Sequence, residues 1–167
     1  MKQSRILAKG CTVPMAIGGG IALSAALLTR LVTGSPLWLI HLGDVSGVLP
    51  PLWLTGLLWL VSFFAMGAAA GYVFVCPRGG GGREAYVWRG STFFVLSAVL
   101  SLTWYALLFG KHYLLPSWGC LPLSAAFSVA CGFSWWRICR IAGGTVWCFA
   151  LWQIILCVFQ LRVLLCL

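Results

Sequence analysis

Acidic side chains are nearly absent from this sequence: Asp44 and Glu84 are the only two among 167 residues. They fall in different gaps between long apolar runs, so they cannot supply the carboxylate pair that general acid–base catalysis uses. No acid and no Lys lies inside an apolar run, which removes the relay of a proton-coupled transporter. There is no nucleophile–base pair and no phosphate-cradling loop. Charge of either sign is scarce, at 8% of residues against the ~25% of a soluble domain.

Metal and disulfide patterns are missing too. The eight cysteines include no C-x-x-C and no Cys/His cluster with metal spacing. Cys131, Cys139, Cys148, Cys157 and Cys166 lie in or beside apolar runs, where a thiol behaves as a small apolar group, so reduced thiols are expected. His41 and His112 stand alone in loops. Each is a candidate ligand for a haem iron, against the plainer reading of a solvated loop side chain. No firm cofactor follows.

What the chain has instead is apolar surface. Hydrophobic residues make up 62% of it, with ten tryptophans. A water-soluble fold of this size cannot bury that much, so lipid must be the solvent. The net charge of +9 does not mark a nucleic-acid partner, because the basic residues sit in short gaps with no basic face.

The pattern predicts an all-α bundle of five membrane spans in a single domain, over about 11–30, 51–75, 91–109, 117–136 and 145–161. The first follows Lys2, Arg5 and Lys9. A basic start before an apolar run is also the form of a cleaved signal peptide. The length of this run, its Gly18-Gly19-Gly20 and its end at Arg30 favour a retained span. Residues 31–50 form an unusually long loop, and long loops tend to be functional. Residues 76–90, with Gly79 to Gly82, read as a polar, flexible link, and Gly143-Gly144 as a helix break. Five spans put eight basic residues on the N-terminal side (Lys2, Arg5, Lys9, Arg78, Arg83, Arg89, Arg137, Arg140) and three on the other (Arg30, Lys111, Arg162). The positive-inside rule then places the N-terminus in the cytoplasm and the C-terminus outside.

Under that topology several aromatic residues share a depth. Trp59 lies about 9 Å below Trp53, and Trp104 about 9 Å below Gly110, at 1.5 Å per residue. Trp152 falls near mid-membrane and Gln160 near the outer surface. Trp53, Trp59, Trp104, Trp152 and Gln160, with Trp38 from the 31–50 loop above, are therefore the candidate ligand-binding residues of a covered pocket in the outer half of the membrane for a flat apolar molecule. The alternatives are an interfacial tryptophan belt, which fits Trp59 and Trp152 poorly at their depth, and interhelical hydrogen bonding by Gln153 and Gln160. Gly67-x-x-x-Gly71 and Ser124-x-x-x-Ser128-x-x-x-Gly132 are small-residue stripes suited to close helix contact, within one chain or between two.

Pro50-Pro51-x-Trp53, Trp59, Ala65-Met66-Gly67, five spans and the abundance of tryptophan resemble the TspO/MBR family, the tryptophan-rich sensory and translocator proteins. The resemblance spans essentially the whole chain and is strongest in the second span. The third span of that family carries Asn-x-x-Trp-Pro and then Phe-Gly. Trp104 and Phe109-Gly110 match, while Ser101 and Tyr105 replace the Asn and Pro. In the fifth span Leu151-Trp152 match, Cys148-Phe149 stand where the family has Pro-Tyr, and Gln160 lies near an Asn position. The resemblance implies a five-helix bundle, usually dimeric, acting as a receptor or sensor that binds porphyrins and other hydrophobic ligands under the loop after the first helix. It also brings light-dependent porphyrin degradation as an alternative. Small-molecule transport is a further one, but its signatures, intramembrane ionisable residues or an inverted repeat, are not found in the sequence. Phe159 replaces the Tyr that a sterol motif of the Leu/Val-Tyr-Arg type needs, so sterol binding through that motif is not expected.

Overall fold

A computed structural model describes residues 2–33, 52–75, 83–111 and 113–166. They form five long helices: α1 (Lys2–Thr33), α2 (Leu52–Val75), α3 (Arg83–Tyr105), α4 (Leu114–Trp136) and α5 (Arg140–Cys166). Each is long and apolar enough to cross a membrane, and among the described residues there is no strand. The protein is an integral, multi-pass membrane protein, because only helices that satisfy their own backbone can stand in lipid in this way. Large apolar side chains such as Ile21, Val32, Val99 and Val158 are exposed and face the bilayer.

The helices pack in the ring order α1, α2, α5, α4, α3, with α1 and α3 meeting at only a few points. We call the end bearing Thr33, Leu52, Gly110, Leu114 and Cys166 the upper end, and the other the lower end.

Small residues set the close crossings. A Cβ added at Gly18 or Gly67 would collide with the other residue's backbone carbonyl, and one at Gly71 with that of Pro14. The Gly67-x-x-x-Gly71 stripe is thus spent on the α1–α2 contact. The α4 stripe also faces inward. Ser124 and Ser128 bond to α3 and α5, and Gly132 lies against the Trp147 indole of α5.

Two expectations are corrected. Residues 83–90 are helical rather than a flexible link, so α3 starts at Arg83. Glu84 in the first turn complements the positive helix terminus, and the run that follows has no Gly or Pro before Gly90. Gly143-Gly144 does not break a helix: α5 passes straight through it, and the turn lies at 137–139. A Cβ at Gly143 would strike the Trp136 backbone, so that glycine serves a close helix approach.

Candidate functional site

Two polar layers fix how α3, α4 and α5 stand against one another. In the lower layer Ser97 and Ser101 of α3, Ser124 and Ser128 of α4 and Gln153 of α5 are all buried. Gln153 Nε2 donates to Ser101 Oγ at 2.5 Å and to Ser124 Oγ at 2.6 Å, and its Oε1 accepts from Ser128 Oγ at 3.1 Å. Seven residues on, Gln160 repeats the device. Its Oε1 accepts from the Trp104 indole N–H at 2.8 Å, and its Nε2 donates to Ser117 Oγ at 2.6 Å and to the Leu114 carbonyl at 2.9 Å. Hydrogen-bonded side chains at these depths are what lipid requires of buried amides and hydroxyls.

Against the upper layer stands an aromatic cluster. The Trp59 and Tyr105 rings stack at 4.6 Å with 22° between planes. Tyr105 also touches Phe109 at 4.3 Å, and Trp59 touches Phe63 at 4.7 Å. Phe109 belongs to a π-helical turn, Ala106–Gly110, that continues α3. Trp59, Trp104, Tyr105 and Phe109, with Arg30, Thr55, Gly56 and Leu156, enclose a space of only about 30 Å³. Arg30 is half-buried in the last turn of α1, with its guanidinium against Gly56.

A much larger space opens below, reaching down α2 as far as Val75, so it lies in the lower half of the bundle and not in the expected outer half. Between α1, α2 and α3 lies a cavity of about 500 Å³. Gly18, Ala22 and Ala25 line it from α1, Phe63, Met66 and Ala70 from α2, and Phe94, Ala98 and Leu102 from α3. Its lining includes no charged or hydroxyl side chain. It exists because α1 and α3 barely touch while the residues between them are small. Phe63 lines this cavity and touches Trp59, so the two spaces adjoin. Ligand pockets commonly measure about 300–1,000 Å³.

The structure therefore brings Trp59 and Trp104 to one space and couples Gln160 to Trp104 from behind. Trp152 is partly buried against the core and lines neither space among the described residues. Its buried indole N–H has no hydrogen-bond partner. Trp38, the side chain of Trp53 and residues 34–50 of the long loop lie outside the described residues, as do His41 and His112, while residues 31–33 of the expected loop belong to the last turn of α1. Sequence reasoning missed Arg30 and Tyr105 as site residues. Arg30 counted only toward topology, and Tyr105 only as a departure from a family pattern. Cys11, Cys120, Cys131, Cys139, Cys148 and Cys157 are free thiols, and no group of residues able to hold a metal occurs among the described residues.

A bundle of five apolar helices with an apolar cavity beneath stacked aromatic rings defines an integral, multi-pass membrane protein. The model of the TspO/MBR family matches residues 12–165, and the chain belongs to that family. No curated protein and no solved structure matches it significantly.

Proposed function

We propose that the protein is a receptor- or sensor-type binder of tetrapyrroles or similar flat, apolar molecules. The observation that carries this reading is the 500 Å³ apolar cavity whose upper wall, Phe63, continues into the Trp59–Tyr105 stack. A planar ring system gains by burying both faces against such walls, and aromatic contacts add about 0.5–1.5 kcal/mol beyond area. The body of the ligand lies in the cavity and its edge reaches the aromatic cluster at the upper end. Arg30 stands five residues above Ala25, about 7.5 Å along the helix. Its guanidinium suits a carboxylate carried on that edge, through charge-assisted hydrogen bonds. The N-terminus lies in the cytoplasm and the bundle pairs as a homodimer through an outward face, because both small-residue stripes are occupied within the chain.

The test is a titration of detergent-purified protein with a porphyrin, in the dark and under light. Saturable quenching of tryptophan fluorescence with a stable Soret band is the expected result. Loss of the band only in light would favour porphyrin degradation. Porphyrin flux across liposomes without saturable binding would favour transport. No quenching at all would sink the reading.

A further inference from the structure

We propose that a groove at the lower end, between α3 and α4, binds the phosphate of an anionic phospholipid. Tyr86, Arg89 and Phe93 of α3 line it from one side. Ala130, Phe133 and Ser134 of α4, and Arg137 just beyond its end, line it from the other, around about 340 Å³. On each helix these residues recur at spacings of three, four and seven, so each set forms one face. The faces are held together where Gly90 receives the Trp135 indole, with no room for a Cβ between them.

The groove is graded along the membrane normal. Its deep part is apolar, with Phe93 and Ala130, and its mouth carries Arg89, Arg137 and Tyr86. That is the grading of a phospholipid, with acyl chain inside and phosphate at the interface. The Arg89 guanidinium lies 5.9 Å from the centroid of the Phe93 ring, which keeps it over the groove.

The charge balance points to an occupant from outside the chain. Eight basic residues flank the lower end by sequence, against Glu84 as the only acid there. Two guanidinium groups brought to one groove repel each other unless an anion lies between them, most of all where lipid lowers the local dielectric. In a bilayer the anion at that depth is a lipid phosphate, and basic pockets between spans are suited to it. This inference does not depend on the proposed tetrapyrrole site, which lies among α1, α2 and the other face of α3, at Phe94, Ala98 and Leu102.

The experiment is native mass spectrometry of delipidated full-length protein given equimolar phosphatidylglycerol and phosphatidylcholine. Wild type should retain phosphatidylglycerol in preference, by roughly tenfold. The double variant Arg89→Gln/Arg137→Gln should lose the preference, and Arg140→Gln, which is outside the groove, should keep it. Equal retention of the two lipids by wild type would overturn the proposal without any variant. So would an undiminished preference in the double variant. Displacement of phosphatidylglycerol by millimolar inorganic phosphate would make the ligand free phosphate instead. A dimer signal that the double variant abolishes, without bound lipid, would make the groove a contact between copies of the chain.

Discussion

At the scale of single residues, Arg30 and Gln153 separate binding from folding. Arg30 lines the small aromatic space, and no hydrogen bond in the bundle is built on its guanidinium among the described residues. Arg30→Gln should therefore leave the fold intact. It should weaken a porphyrin dicarboxylate by about tenfold, the loss of roughly one charge-assisted hydrogen bond. The dimethyl ester of the same porphyrin should bind both forms alike, and parallel fluorescence titrations check this. Gln153 is the opposite case. It joins three serines from two helices at a site only 2% exposed. Gln153→Leu leaves those hydroxyls short of partners and should cost about 1–3 kcal/mol. Reversible unfolding in mixed micelles would measure it. Tyr105 closes the upper space by stacking on Trp59, where the family pattern has a proline. Tyr105→Ala removes that ring and should speed ligand exchange at the aromatic cluster, read by stopped-flow quenching.

Among the elements, α1 and α2 behave as one unit. Their crossing has no room for side chains at Gly18, Gly67 or Gly71. Gly67→Leu should separate the pair and abolish folding and binding together, seen as loss of a monodisperse peak in gel filtration. A folded monomer that still binds would instead place this glycine between subunits. The spans were legible in the sequence because lipid demands about 20 apolar residues of each, and the family resemblance rested on second-span residues such as Trp59 and Met66. Element ends were less legible. The stretch from Arg83 looked like a loop because its charge resembles that of a polar gap, and Gly143-Gly144 looked like a break because a close crossing and a helix stop use the same residue. The large cavity was invisible for a related reason. Gly18, Ala22 and Ala98 are small apolar residues inside spans, and nothing in the pattern says that the helices bearing them stand apart. Trp59 and Trp104 were placed at a common depth by counting residues, but the space beside them depends on where the Tyr105 ring sits.

For the molecule as a whole, the ring of five helices has its widest gap between α1 and α3, and there the apolar cavity lies. Five spans put the two chain ends on opposite sides. Reporter fusions near residue 80 and residue 112 should accordingly report opposite faces, with residue 80 on the cytoplasmic one. The central claim, that this cavity is the ligand site, is tested most directly by filling it. Ala98 lines the cavity from α3 and is only partly buried, so Ala98→Phe adds a ring there with little strain on the ring of helices. The measurement is the porphyrin affinity of Ala98→Phe relative to wild type, by tryptophan quenching. A loss of at least about tenfold, near 1.4 kcal/mol, is expected with the helical signal unchanged. Wild-type affinity in a folded Ala98→Phe protein would contradict it.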